Sequence, residues 1–230
     1  MKSTRRERQR TATRDEILAT AWRQIGETGA AALSIRAIAR EMELTAPALY
    51  RYYKDRDALV TALLIDAFTS FAEALESGRD ACTAGDHVGR FRAIGRAYFQ
   101  WAADNPQRYQ LLFGTPIPGY QFATEVGPAA QRGFLVLQGA LGEAQIAGKL
   151  NGKVAARPLP AKLKARYAAL RKAGMPYAEA VTQLALSVWA MMHGLTSLHL
   201  YNYLSGFVQG EVTTFVDFEI EKMIETLGLE

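Results

Sequence analysis

Cysteine is nearly absent from this chain of 230 residues: Cys82 stands alone. That excludes a disulfide within the chain and fits a reducing compartment. Histidine is almost as scarce, with only His87, His193 and His199. None of the three stands at metal-ligand spacing from a second donor or beside a plausible nucleophile. His193 and His199, six residues apart, belong to different faces of a helix. A Gly-rich phosphate loop is missing as well. These absences argue against an enzyme, and no metal and no cofactor is expected. No run of about eighteen uninterrupted apolar residues occurs, so no membrane span is expected. The opening Met1-Lys2-Ser3-Thr4-Arg5-Arg6 is basic but leads into no apolar stretch, so it reads as no secretory leader and the expected location is cytoplasmic. Sustained β-alternation and internal repeats are also lacking. What remains is an all-α chain.

Positive charge, by contrast, is present and unevenly spread. Residues 1–54 hold eleven Lys or Arg against six Asp or Glu, a balance of +5. The rest holds sixteen against seventeen, a balance of −1. Such asymmetry suggests a polyanion-binding module joined to a body with another task, although charge alone is equally compatible with a solvated basic arm.

The patterning gives that module a shape. Residues 1–12 are polar and Arg-rich and read as a disordered arm. Thr13 with Glu16 forms a capping box, followed by Ile17, Leu18, Ala21, Trp22 and Ile25 at helical spacing and ended by Gly26 and Gly29. Ser34 caps a short second helix whose inner face is Ile35, Ile38, Ala39 and Met42. After Glu43-Leu44, Thr45 caps a third helix that begins Ala46-Pro47, where a first-turn proline is tolerated. Leu49 and Tyr53 face inward together. Two short helices joined by about three residues have the spacing of a helix-turn-helix.

The body is also helical. Asp55 caps a long helix through Leu59, Leu63, Phe68, Phe71 and Leu75. After a break at 78–86 come helices over 87–104 and from Asn105-Pro106 to Phe113, a loop at 114–119, and a helix over 127–148. A basic, Pro-containing connection (149–160), a short polar helix to Lys172, a helix from Tyr177 to about Leu204 and a last one over Thr213–Leu227 complete it. The architecture expected is therefore an N-terminal three-helix domain (1–54) linked by a long helix to a larger helical bundle (55–230) that dimerises. Leu184, Leu186, Val188, Trp189, Met191, Met192, Leu195 and Leu198 occupy every side of one helix, which must then be covered all round. A partner's helix is the natural cover for one side. Val216, Ile220, Met223 and Leu227 offer a second stripe, completing an intersubunit four-helix bundle.

Four segments carry a family resemblance. Leu33-Ser-Ile-Arg-Ala-Ile-Ala-Arg40 and Thr45-Ala-Pro-Ala-Leu-Tyr-Arg-Tyr-Tyr-Lys-Asp-Arg-Asp-Ala-Leu59 resemble the DNA-binding signature of the tetracycline-repressor (TetR) family. Asn105-Pro-Gln-Arg-Tyr-Gln-Leu-Leu-Phe113 and Trp189-Ala-Met-Met-His-Gly-Leu195 resemble the branch with a WHG-type C-terminal domain. One departure is Glu43, where the family usually has Gly; a side chain costs about 1 kcal/mol there if the backbone is left-handed. The resemblance implies a homodimer, joined through the C-terminal helices, that binds a palindromic double-stranded DNA operator. It further implies a ligand-responsive regulator, most often a repressor, with a cavity for a small apolar or aromatic ligand. An architectural DNA-binding protein without a ligand is the alternative.

On this reading Thr45, Ala46 and Pro47 enter the major groove, with Ala48 behind them. Arg36 is the nearby residue able to grip guanine bidentately, unless it pairs with Glu43 instead. Tyr50, Tyr52, Lys54 and Arg56 contact phosphates, core packing being the competing role for Tyr50. Tyr98, Trp101, Tyr109, Phe113, Phe134, Trp189 and His193 are candidates to line the ligand cavity, each with core packing as its alternative. Arg36→Ala is expected to relax base preference, as read by affinity for operator against single-base variants; unchanged discrimination would remove Arg36 from the reading.

Overall fold

A computed structural model describes residues 4–152 and 157–230. Met1 to Ser3 of the expected arm, and part of the expected 149–160 connection, lie outside the described residues. Among those described the chain is helical throughout: α1 Arg5–Thr28, α2 Ile35–Glu41, α3 Ala46–Tyr50, α4 Arg56–Asp80, α5 His87–Asp104, α6 Pro106–Phe113, α7 Val126–Ile146, α8 Ala161–Lys172, α9 Glu179–Leu200, α10 Ser205–Val208 and α11 Val212–Leu227. A 3-10 turn at Ala30–Ala32 precedes α2. One isolated antiparallel bridge, Leu150 to Leu229, ties the C-terminus down.

The first helix starts earlier than its pattern suggests. Thr4 and Glu7 form a complete capping box: Thr4 Oγ1 accepts from the Glu7 amide at 3.2 Å, and Glu7 Oε2 accepts from the Thr4 amide at 2.7 Å. Two Thr-x-x-Glu sequences compete, and the upstream one wins because residues 5–12 are rich in good helix formers. Thr13 is mid-helix, its hydroxyl donating back to the Gln9 carbonyl at 3.0 Å. Residues 4–12 are thus helical rather than a disordered arm. Near the other end of the chain, the expected Tyr177–Leu204 helix is shorter: α9 ends at Leu200, and Asn202 turns left-handed at φ +63° ahead of the separate one-turn α10.

Contacts divide the chain into two compact units. One comprises 1–68 with 105–129, the other 69–104 with 130–230. The sequence suggests one cut, at 54/55; in the structure α4 contributes residues to both units, and α6 falls in the first. α4 is long and apolar enough to cross a membrane by length and composition, but half of that stretch is buried within the protein, Leu59, Leu63 and Leu75 completely.

The first unit packs Ile17, Ala21 and Ile25 of α1 with Leu33, Ile38, Leu49, Tyr53, Leu59 and Leu63, and Tyr109 of α6 is equally buried. Asp66 of α4 fastens three helices. Its Oδ2 accepts from Trp22 Nε1 on α1 at 2.8 Å and from Arg108 Nη1 on α6 at 2.6 Å. The Arg108 guanidinium also lies over the Trp22 ring, 4.6 Å from its centroid. Phe68 meets Phe113 edge-on at 6.0 Å.

The second unit is built around α5, α9 and α11. Gly95 lets Ile220 approach to where a Cβ would be 3.0 Å from Cδ1, and Gly142 seats the Tyr177 ring where a Cβ would be 2.1 Å away. Arg92 pairs with Glu221, and Arg96 with Asp217 at 2.7 Å, along the α5–α11 seam. Arg132 forks onto Glu76, holding that carboxyl below its ordinary range. The stripe Val216, Ile220, Met223 and Leu227 is buried within this protomer. It is therefore not a surface awaiting a partner; periodicity marks a buried face without saying what buries it.

Asp66→Ala leaves an indole N–H and a guanidinium without their shared acceptor. It is expected to lower the unfolding free energy by roughly 1–3 kcal/mol, measured by urea denaturation.

Candidate nucleic-acid interface

The geometry of the helix-turn-helix begins at the end of α2. The Leu44 amide donates to the Ala39 carbonyl at 2.8 Å and the Glu43 amide to the Arg40 carbonyl at 3.2 Å. This pair of bonds is a Schellman motif, which requires a left-handed residue after the cap. Glu43 is that residue, at φ +55°. The turn therefore has the shape glycine would favour, carried by glutamate at a cost of about 1 kcal/mol.

α3 then starts at once. Thr45 is its N-cap, with Oγ1 accepting from the Ala48 amide at 3.3 Å, and Pro47 sits in its first turn. Leu49 is fully buried and Tyr53 nearly so, which anchors the helix from beneath. Thr45 and Pro47 are exposed, and Ala46 and Ala48 are half-exposed. Tyr50, at 43% exposure, is a surface residue rather than a core one.

Arg36, in the first turn of α2, is exposed, and no carboxylate lies within ion-pair distance of it among the described residues. The alternative partner, Glu43, does not hold it. Glu41 is instead engaged by Arg23 of α1, whose Nε donates to it at 2.8 Å.

Lys54 is exposed and Tyr52 half-exposed. Arg56 has a different task from the phosphate contact expected of it. Its Nε donates to the Leu33 carbonyl, and its Nη2 to those of Ala30 and Ala31, each at 3.2 Å. These carbonyls belong to the 3-10 turn ahead of α2, so Arg56 ties the start of α4 to the entry of the helix-turn-helix. Three hydrogen bonds of this guanidinium are spent on backbone.

Residues of the basic N-terminal arm, which the sequence places along the DNA backbone or in the minor groove, face α3 across a cleft, together with others that patterning passes over. Thr4 and, from α1, Arg5, Arg6, Glu7, Gln9, Arg10 and Thr13 line one wall of an open cleft, and Leu44, Ala48, Arg51 and Tyr52 line the other. The Thr4-x-x-Glu7 box is the available signal, since it makes the first arginines part of a helix.

The expected ligand-cavity residues separate into two groups. In the second unit Tyr98, Trp101, Phe134, Trp189 and His193 gather about Phe71, which the pattern places only on a helix stripe. Phe71 meets Tyr98, Trp101 and Trp189 edge-on at 5.0, 4.9 and 5.8 Å. Trp189 also meets Tyr98 at 5.5 Å and Phe134 at 5.8 Å. The Tyr98 hydroxyl lies 3.4 Å from His193 Nδ1, and burial pushes the His193 imidazole below its usual pKa. Tyr109 and Phe113 are elsewhere, paired at 5.1 Å in the first unit. Beside Tyr98 and Trp189 the interior retains a cavity of about 10 Å³, room for a single water at most.

Comparison with known proteins agrees with this geometry. Residues 17–63 match the family described as bacterial regulatory proteins, tetR family, and residues 91–223 match the tetracyclin repressor-like C-terminal domain. An HTH-type transcriptional regulator of Mycobacterium tuberculosis (strain H37Rv) is 34% identical over 184 residues, covering 78% of this chain and 76% of that protein. The solved structure of a regulatory protein, SCO4313, is 34% identical with a TM-score of 0.75, covering 96% of this chain and all of that one. The TetR-family transcriptional regulator PfmR of Thermus thermophilus shares the fold at 14% identity, with a TM-score of 0.57 over 92% of this chain and 98% of its own. An exposed recognition helix and a larger helical body, each matched, define a DNA-binding transcriptional regulator. Within that class the chain belongs to the tetR family of bacterial regulatory proteins.

Two substitutions check the geometry of the turn. Arg56→Ala is expected to cost roughly 1–3 kcal/mol in urea unfolding, with little change in the salt dependence of DNA binding by the folded fraction. Glu43→Gly is expected to leave binding intact and raise stability by up to about 1 kcal/mol, because relief of the left-handed backbone exceeds the added chain entropy.

Proposed function

We propose that this regulator is a ligand-responsive repressor that binds a palindromic operator as a homodimer. The observation that carries the reading is Arg36: exposed, without a carboxylate partner among the described residues, and on the helix before a reading head of exposed Thr45 and Pro47 with half-exposed Ala46. A guanidinium so placed is suited to the bidentate grip on guanine that gives base discrimination. Tyr50, Tyr52 and Lys54 supply phosphate contacts that set register. So small a reading head suits a half-site that needs a second copy.

The second copy is supported by α9. Its inner face buries Leu184, Val188, Met192 and Leu195, while Leu186, Met191 and Leu198 stay 40%, 39% and 44% exposed. Three large apolar residues on one helix of a water-facing surface are well suited to a partner's α9. On α11 the exposed apolar residue is Phe218, in place of the stripe that turned out to be internal.

The ligand site is assigned to the interior around Phe71, Tyr98 and Trp189, with the Tyr98 hydroxyl and His193 as its polar handles. The cavity beside Tyr98 and Trp189, about 10 Å³ and lined by neither Phe71 nor His193, is too small for a ligand, so an apolar or aromatic ligand binds by favouring an opened arrangement. α6 supports transmission: it belongs to the DNA-reading unit, yet its chain connections run to α5 and α7.

Nuclease protection upstream of the protein's own gene tests the whole reading. A discrete footprint, released by one of a series of small aromatics from phenol to indole, is the expected result. Salt-sensitive coating without a footprint would mean an architectural DNA-binding protein instead. Met191→Lys with Leu198→Glu is expected to give monomers by sedimentation velocity and to abolish the footprint while the fold is kept.

A further inference from the structure

The beginning of α1 is unusual for a helix in a folded unit, because it buries nothing. The first buried residue is Ile17, so Arg5–Glu16 project about 18 Å beyond the core. Along one face the residues run Arg6, Arg10, Arg14, Ile17, Ala21, Ile25, at helical spacings of four and three. The stripe that enters the core as Ile17, Ala21 and Ile25 is therefore continued outward by three exposed arginines. Arg14 is the hinge between the two chemistries, its guanidinium 5.3 Å from the centroid of the buried Tyr53 ring.

Guanidinium groups at i, i+4 repel one another in a helix. No carboxylate lies within ion-pair distance of Arg6, Arg10 or Arg51 among the described residues, and the Glu7 carboxylate is committed to the cap on Thr4. The wall opposite Arg6 and Arg10 comes from the recognition element itself: Leu44, Ala48, Arg51 and Tyr52. The cleft is thus open and, among the described residues, carries arginines without ion-pair partners on both walls; the one carboxylate in its lining, Glu7, is held at the Thr4 cap.

We propose that this cleft is a backbone clamp: one strand of the operator's sugar–phosphate chain lies between the helical extension of α1, through Arg6 and Arg10, and Arg51 at the end of α3. The inference rests on the DNA-binding reading above and adds to it a second, rigid set of contacts from α1 and the end of α3. It differs from a loose basic arm in one respect. The clamp depends on the extension being helical, because the arginines line a wall only in that conformation.

The experiment uses the full chain and a fluorescein-labelled mixed-sequence duplex, with affinity measured across a salt series. Each phosphate contact contributes about 0.9 to the slope of log K against log salt. Arg6→Ala with Arg10→Ala should lower that slope by about 1.8 per protomer, and Arg51→Ala by about 0.9. Gln9→Pro keeps every charge but breaks the turn that carries Arg6, and should lower the slope by about 0.9 per protomer. Circular dichroism and urea unfolding confirm that the core is intact in each variant. A wild-type slope for the double variant, with the duplex still bound, would overturn the clamp and leave the DNA-binding reading standing. A normal slope for Gln9→Pro beside a reduced one for the double variant would also overturn it, in favour of a flexible arm. Absence of any duplex binding by the unaltered protein would overturn both.

Discussion

The Asp66 carboxylate is the constraint on which the DNA-reading unit depends. An ionised carboxylate can only accept hydrogen bonds, and here one oxygen serves donors from two other helices, the Trp22 indole and the Arg108 guanidinium. With Arg108 stacked on Trp22, the three side chains close a small ring across α1, α4 and α6. α2 in turn packs on α1 and α3 packs on α2, and Arg56 fastens the entry of α2 to the start of α4. The position of the reading head is thus set through α1 and α4 rather than by α3, which has only five residues.

That ring also explains why α6 belongs with the N-terminal helices. In the sequence it stands between α5 and α7, and a division by chain order assigns it to the body. Nothing in Pro106–Phe113 announces its partners, because an arginine and a buried tyrosine are compatible with either unit. Contacts between residues separated by about forty positions decide the matter, and local patterning carries no information about them.

Much of the rest is legible because its determinants are local. The caps at Ser34 and Thr45, the inward pair Leu49 and Tyr53, and the left-handed demand on Glu43 all follow from residue chemistry within a turn or two. The start of α1 is misplaced by patterning because two similar capping boxes precede the apolar stripe, and periodicity favours the one adjoining apolar residues. α11 shows the other limit. Val216, Ile220, Met223 and Leu227 read as a buried face, and they are one, but their cover is the protomer's own α5. Arg56 looks like a phosphate contact because a basic residue after a recognition helix is suited to one, whereas the three carbonyls that claim it are 23 to 26 residues upstream. At the candidate ligand site, residue type alone points to aromatics with polar tips. Phe71 has no such tip and reads as a plain helix-stripe residue, although it is the ring the others surround.

Under the proposed ligand response, the closed interior beside Tyr98 and Trp189 has a consequence for dose response. A cavity with room for about one water admits a ligand only from an opened state. The apparent dissociation constant is then the intrinsic one divided by the fraction of molecules already open. Sensitivity to a signal is therefore set by packing as well as by contacts. On that proposal, a substitution that loosened the Phe71, Tyr98 and Trp189 rings without touching any ligand would shift the threshold of the response.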